Sequence, residues 1–283
     1  MLKINPDEFS LLTKYILSIS GISLDKGKEY LVETRLRPIL KDYNCASFKE
    51  LYNLAVRDSS KKIEKKIIDA ISTNETYFFR DKSPFELLKF KIIPDLIDKK
   101  SGGRSGTPVN IRIWSAASST GQEIYSTAML IHELGINNNR QYNIKLIGTD
   151  ISDAAISKAS YAKYNKFEVA RGLTPERLKK FLNKSGDEWK IKDEIRSMVS
   201  FEKVNLLKPV NLRGKFDIIF CRNVAIYFNP PDRKKLYQMI GNFLEKDGYL
   251  LIGSTESLAN DTKLFKPQRY LNSTFYKLKE GIS

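Results

Sequence analysis

Long apolar runs are missing from this 283-residue chain. No stretch approaches the ~20 residues that cross a bilayer, and the opening Met-Leu-Lys-Ile-Asn-Pro has no apolar core of the kind a signal peptide needs. The expectation is a soluble, cytoplasmic protein without direct membrane insertion. Cysteine is scarce too: Cys45 and Cys221 form no CxxC pair, which argues against a disulfide framework or a metal site and suits a reducing compartment. Histidine is rarer still, with His132 alone. The Gly-x-Gly-x-x-Gly fingerprint that seats a dinucleotide pyrophosphate on backbone is absent as well.

Acidic residues are in deficit, with 48 Lys and Arg against 33 Asp and Glu, a formal charge of +15. Residues 1–100 carry 19 basic and 15 acidic residues (+4), the remainder 29 and 18 (+11), and the stretch 158–213 alone 14 and 7 (+7). Such a surface predicts an acidic partner: nucleic acid, an anionic membrane or an acidic protein.

What the chain does have begins with helical spacing. Asn5 and Pro6 open a helix to residue 20 through Phe9, Leu12, Ile16 and Ile19, and Gly21 stops it. A second helix, about Lys26 to Asp42, turns Leu31, Leu36 and Leu40 inward and Arg35, Arg37 and Lys41 mostly outward. Ser47 caps a third, and Ser59 or Ser60 precedes a fourth through Ile63, Ile67, Ile68 and Ile71. Residues 1–72 therefore read as a small helical domain. Residues 73–108 read as a connecting segment: a polar-aromatic run, a helix opened by Pro84, and a loop over Lys99–Pro108.

From residue 109 strands and helices alternate, the pattern of an α/β fold with an open, mostly parallel sheet. Ile111–Trp114 reads as a strand, Ser115–Gly121 as a turn of small residues, and Ile124, Ala128 and Met129 as the next helix. Such a turn lets backbone N–H groups approach a ligand closely. A second strand, Ile144–Thr149, ends in Asp150, where an open α/β sheet places the acid that binds a ribose diol. An insertion at about 163–203 holds a helix over Leu173–Leu182 and a hairpin of Trp189–Ile191 with Met198–Phe201. Lys215–Cys221 is a buried strand, Asp232 opens a helix, Lys246-Asp247-Gly248 is a turn, and Tyr249–Ile252 and Thr274–Leu278 close the sheet.

A small-residue turn with Asp150 fits either a dinucleotide dehydrogenase or an S-adenosylmethionine (SAM) methyltransferase. Without the glycine fingerprint, and with His132 a helix away from the turn, SAM fits better: it has no pyrophosphate to seat. Glu123 is placed to bind its methionine end and Asp150 its ribose.

The chain resembles the chemotaxis receptor methyltransferases, the CheR family, along nearly its whole length. Thr73-Asn74-Glu75-Thr76-Tyr77-Phe78-Phe79-Arg80-Asp81 resembles that family's Thr-Asn-x-Thr-x-Phe-Phe-Arg signature. Trp114-Ser115-Ala116-Ala117-Ser118-Ser119-Thr120-Gly121-Gln122-Glu123-Ile124-Tyr125-Ser126 resembles Trp-Ser-Ala-x-x-Ser-Thr-Gly-Glu-Glu-Pro-Tyr-Ser. Asn205-Leu206-Leu207 and Phe220–Phe228 follow in the same order.

The resemblance implies a class I SAM-methyltransferase (Rossmann-like) fold behind an all-helical domain, with a small inserted β-subdomain. It implies SAM contacts, with S-adenosylhomocysteine as product, from Asn74, Thr76, Arg80, Glu123, Asp150, Asn205, Leu206, Arg222 and Asn223. Arg80 and Tyr227 would line the reaction site, and glutamates on the cytoplasmic methylation helices of membrane chemoreceptors would be the substrate. Arg35, Arg37 and Lys41 resemble the basic helix that docks there. Gln122 and Ile124 depart from the family's Glu and Pro. The insertion reads as short, which predicts an enzyme independent of a receptor C-terminal tether. A monomer is expected. A glutamate carboxylate, with a pKa near ~4.3, is ionised at neutral pH, so the missing histidine base is no obstacle.

Two rivals remain. Asn229-Pro230-Pro231 suggests a nucleic-acid methyltransferase, but Asp232 stands where an aromatic would stack on a flipped base. A non-catalytic SAM-binding regulator would have no need of Arg80 and Tyr227.

Overall fold

The computed structural model describes residues 2–102, 108–136 and 141–280. Four helices come first: α1 (Pro6–Ser20), α2 (Glu29–Asp42), α3 (Phe48–Arg57) and α4 (Lys62–Ile71). The Asn5 side chain accepts the Glu8 N–H while the Glu8 carboxylate accepts the Asn5 N–H, a reciprocal cap. Gly21, at φ 79°, ends α1 by donating its N–H to the Leu17 carbonyl. The apolar stripes of the four helices meet in one core built on Leu12, Ile16, Val32, Leu36, Phe48, Leu51, Ile67 and Ile71.

Two ends differ from expectation. α2 begins at Glu29 because Asp25–Lys28 is spent on a turn, Lys28 N–H to Asp25 O at 3.2 Å. α4 is anchored neither by Ser59 nor by Ser60; the Asp58 carboxylate accepts the N–H groups of Ser60 and Ile63, each at 2.9 Å.

After the motif segment, α5 (Ser83–Leu87) passes through one π-helical turn, Leu88–Ile92, into α6 (Ile93–Ser101). The wider turn keeps Phe85, Leu88, Ile92 and Ile93 all buried. α6 takes up the start of the stretch expected as a loop, and residues 103–107 of that loop lie outside the described residues.

The α/β part starts with β1 (Val109–Ala116), α7 (Gln122–Glu133), β2 (Tyr142–Asp150) and α8 (Asp153–Tyr161). An inserted stretch follows: β3 (Lys163–Tyr164), α9 (Lys166–Ala170), α10 (Pro175–Phe181), β4 (Leu182–Ser185), β5 (Glu188–Ile191) and α11 (Asp193–Arg196). Then come β6 (Val199–Lys203), β7 (Phe216–Cys221), α12 (Pro230–Phe243), β8 (Leu244–Ile252), β9 (Phe265–Tyr270) and β10 (Ser273–Leu278).

The main sheet has the order β6-β2-β1-β7-β8-β10-β9. Its first five strands are parallel and its last two antiparallel. Alternation along β1 sends Ile111 and Ile113 into the core shared with α7, and Trp114 into the opposite core shared with α12. The strand order reverses between β1 and β7, which opens a crevice above their C-terminal ends.

Three sequence readings need correction. Met198–Phe201 does not form a hairpin with Trp189–Ile191. It feeds β6, which pairs in parallel with β2 from Leu146↔Val199 to Asp150↔Lys203 at the edge of the main sheet. An edge strand is half exposed, so its alternation looks like that of a surface hairpin. β5 instead pairs antiparallel with both β4 and β3, giving a small three-stranded subdomain. β8 begins at Leu244, directly after α12, rather than at Tyr249, and Lys246-Asp247-Gly248 turns out of it as a bulge, with Leu244 opposite Phe216 and Tyr249 opposite Ile218. α12 itself opens at Pro230, two residues before Asp232, and Asn229 caps it by accepting the Asp232 N–H at 2.9 Å. The Asn-Pro-Pro run is therefore a helix start.

The helical part is fastened to the sheet beside the crevice. Asn205 Nδ2 donates to Ile19 O at 3.1 Å, Ser23 N–H donates to Tyr227 O at 2.8 Å, and Ser152 Oγ lies 2.7 Å from Asp69 Oδ1. A Cβ on Gly21 would come within 2.1 Å of Leu207 Cδ1 and displace that side chain, and the φ of 79° itself favours glycine. Among the described residues no helix is long and apolar enough to cross a membrane.

Candidate active site

The crevice is a cleft walled by both the helical part and the sheet. Its floor is the turn after β1, where Ala117 (φ 60°), Ser119 (φ 51°) and Gly121 (φ 93°) alternate with ordinary backbone. That geometry turns successive N–H groups inward. Ser118 N–H reaches Thr149 O at 2.7 Å, and Ser119 N–H reaches Asp150 Oδ2 at 2.8 Å. Asp150 Oδ1 accepts from Ser152 N–H at 3.0 Å. Burial raises the Asp150 pKa above the ordinary carboxylate value, opposed by the Ser152 and Ser119 N–H bonds. Each carboxylate oxygen has a second lone pair, so Asp150 can still accept a ligand hydroxyl.

Glu123 stands in the first turn of α7. Its Oε1 accepts from Ser115 Oγ at 2.8 Å and its Oε2 from Arg222 Nη1 at 2.7 Å. Arg222 closes β7 with a side chain only 1% exposed. Its other arm reaches Asp81 Oδ2 at 2.7 Å and the Arg80 carbonyl at 3.2 Å. One buried cation thus ties α7, β7 and the aromatic motif together.

That motif is a strained loop. Phe79 (φ 51°), Asp81 (φ 68°) and Lys82 (φ 44°) all have positive φ, a conformation that non-glycine residues hold only when their surroundings impose it. Phe79 N–H donates to Ser126 Oγ at 2.9 Å. Arg80 folds back to donate to Glu75 O at 2.6 Å, with Tyr77 beneath its guanidinium. Asn74 Oδ1 lies 3.4 Å from Ser119 Oγ.

Across the cleft, Asn205 spends its amide on Ile19 O and on the Leu207 N–H. Asn223 is left-handed (φ 57°), and its N–H is held at 2.7 Å by Glu256, whose pKa burial raises. Tyr227 ends the short 3₁₀ turn that follows. Ser20, Ile22, Ser72 and Thr73 of the helical part complete the wall.

Asn74, Thr76, Arg80, Glu123, Asp150, Asn205, Leu206, Arg222, Asn223 and Tyr227 all line this one cleft. Arg35, Arg37 and Lys41 do not. Arg35 donates to Ile71 O at 2.5 Å and to Thr73 Oγ1 at 3.1 Å, bracing the entrance to the motif loop. Arg37 lies 3.9 Å from Glu33, and Lys41 is exposed. Gln122 and Ile124 are buried away from the cleft; Gln122 Oε1 accepts from Thr120 Oγ1. Sequence reasoning missed Asp81, Ser115 and Glu256. Asp81 sat inside a quoted motif, but nothing in its spacing linked it to Arg222, 141 residues away.

Glu75, Glu123 and Asp150 face Arg80 and Arg222 among the lining side chains, so the cleft sums to −1 inside a protein of +15. A cationic ligand with a diol and an ammonium group suits that balance. Ser118 Oγ and Arg222 Nε are buried without hydrogen-bond partners among the described residues, so the walls keep polar capacity to spend.

A mostly parallel sheet, an acid at the end of β2 and this cleft define a class I SAM-dependent methyltransferase, and SAM is its cofactor. Residues 74–272 match the CheR methyltransferase SAM binding domain and residues 7–72 the CheR methyltransferase all-alpha domain. The chain belongs to the CheR methyltransferase family. It is 37% identical over 278 residues to the chemotaxis protein methyltransferase of Vibrio parahaemolyticus, covering 98% of each chain. The chemotaxis protein methyltransferase of Borreliella burgdorferi is 36% identical over 98% of this chain and 95% of that one. Magnesium protoporphyrin IX methyltransferase from Synechocystis PCC 6803 with bound SAM aligns at 12% identity and a TM-score of 0.38, over 85% of this chain and 94% of that one.

Proposed function

We propose that this protein transfers the methyl group of SAM to glutamate carboxylates of membrane chemoreceptors, forming glutamate methyl esters in chemotactic adaptation. Its support is the similarity over 98% of both chains to a chemotaxis protein methyltransferase, joined to a cleft that presents Arg80 and Tyr227 beside the SAM-type acids. Residues 1–72 dock the receptor, 73–108 connect, and 109–283 carry the chemistry, in the cytoplasm and as a monomer.

SAM supplies a methyl on a positively charged sulfur, with a neutral thioether as leaving group. Asp150 would accept from the ribose hydroxyls, Glu123 would hold the ammonium, and Asn74, Thr76, Arg80, Asn205, Leu206, Arg222 and Asn223 would complete the grip. Arg80 anchors one oxygen of the incoming carboxylate, and Tyr227 orients the other. The nucleophile arrives ionised and needs no base; alignment and exclusion of water carry the rate.

The cations of α2, with exposed Lys41 and half-buried Arg37 foremost, steer the acidic receptor helices, which makes association salt-sensitive. Tether independence was expected from a short insertion. The inserted subdomain is small, with strands of two to four residues, and the assay below tests the expectation.

The test is transfer of labelled methyl from SAM to receptor cytoplasmic fragments, read as methanol released in mild base. Label that disappears when receptor glutamates become alanine supports the proposal, and unchanged label after removal of the receptor tail supports tether independence. Label on nucleic acid alone, or SAM binding without transfer, overturns it.

A further inference from the structure

The inserted segment reaches the motif loop without entering the cleft. None of residues 163–197 lines the cofactor cleft. Yet Arg171 Nη1 lies 2.6 Å from Glu75 Oε1 with its guanidinium 4.2 Å from the Tyr77 ring centre. Gly172, at φ 99°, sits so close that an added Cβ would fall 1.7 Å from the Phe78 carbonyl oxygen.

Arg177 makes the firmest of these contacts. Its guanidinium lies 3.8 Å from the centre of the Phe79 ring. The same group is fixed by a two-pronged pair with Glu133, Nε to Oε1 and Nη2 to Oε2, both at 2.8 Å. Glu133 is the last residue of α7, whose first turn carries Glu123. On its other side the Phe79 ring packs edge-on against Phe85 at 5.1 Å. Phe79 is the left-handed residue immediately before Arg80.

We propose that Arg177 is a positioning residue for the cofactor site: pinned by Glu133, it clamps Phe79 in its left-handed conformation and so holds the Asn74–Arg80 loop against SAM. The inference rests on the cofactor-site reading above. A bulky residue at positive φ stays there only while its neighbours hold it. Lysine cannot replace Arg177, because an ammonium neither lies flat on a ring nor bridges both oxygens of a carboxylate.

The test is calorimetric SAM binding to the full chain, alongside thermal unfolding. Arg177→Ala and Arg177→Lys weaken SAM binding by about tenfold, with the folded circular-dichroism spectrum retained. Glu133→Gln, which keeps the guanidinium but loosens its anchor, weakens binding by about threefold and decides the matter if Arg177→Ala fails to fold. In a Phe79→Leu background, Arg177→Ala adds no further loss, a coupling that a merely structural role would not produce. SAM affinity within twofold of wild type in the Arg177 variants, or an undiminished loss in the Phe79→Leu background, overturns the proposal. Arg80→Ala separates the two levels. If it leaves SAM binding intact, the cofactor-site reading fails; if it weakens binding while the Arg177 variants do not, only the clamp fails.

Discussion

Replacing Arg222 by methionine keeps the volume of the side chain and deletes its charge. Arg222 is 1% exposed, while Glu123 and Asp81, its partners, are 12% and 27% exposed. Breaking a buried ion pair by removing one partner costs about 3–5 kcal/mol, because the remaining charge stays out of water. Asp81 can turn toward solvent, so most of the cost falls on Glu123, left with only the Ser115 hydroxyl. Against a typical total stability of about 5–15 kcal/mol, that is a large fraction. At about 2–4 °C per kcal/mol for a chain approaching this size, the melting midpoint falls by roughly 6–20 °C. Thermal unfolding followed by circular dichroism measures it. Adding Glu123→Gln, which neutralises the stranded acid, returns about 1–3 kcal/mol, whereas adding Asp81→Asn returns less. A melting point within 2 °C of wild type, or a stronger rescue from Asp81→Asn than from Glu123→Gln, refutes the reasoning.

Asp150→Asn weakens SAM binding by about 10- to 100-fold, the worth of hydrogen bonds to a charged acceptor, as calorimetry will read. Burial raises the Asp150 pKa, so its contribution to stability is fully present below the unfolded carboxylate value and is lost as pH rises through the raised one. SAM affinity runs the opposite way, rising as Asp150 ionises over that interval, and titrations from acid to neutral pH will show both trends. Gly172→Ala drives a methyl into the Phe78 carbonyl at a left-handed position and lowers the melting point by an amount corresponding to about 1–3 kcal/mol. Lys41→Glu lowers kcat/KM for receptor fragments several-fold at low salt and flattens its ionic-strength dependence, with SAM affinity unchanged.

The alternation of Ile111 and Ile113 and the helical spacing of Leu12, Ile16 and Ile67 were legible because each element buries a single face. Asp150 was legible because a strand end fixes where its side chain emerges. β6 was misread because an edge strand is amphipathic, and its partner β2 lies some 50 residues back in the chain. β9 went unread because its alternation is broken by Pro267 and its partner strand is supplied only by β10. The left-handed backbone at Phe79, Asp81 and Asn223 leaves no trace in side-chain pattern. It is imposed by Ser126, Arg222 and Glu256, residues far away in sequence. The role of Arg35 was hidden for a similar reason: on a helical wheel it faces outward, and only the close of α4 beside it turns that face into an inner seam.

The bond from Ser23 to the Tyr227 carbonyl bears on any attempt to exchange helical domains between relatives. A hybrid cut at the natural-looking seam near residue 72 would exchange Ser20, Ile22 and Ser23 together with the basic helix. It would thereby replace part of the cleft wall along with the basic face of α2. Grafts that exchange the helical bundle therefore have to be cut inside it, leaving residues 19–23 with the host.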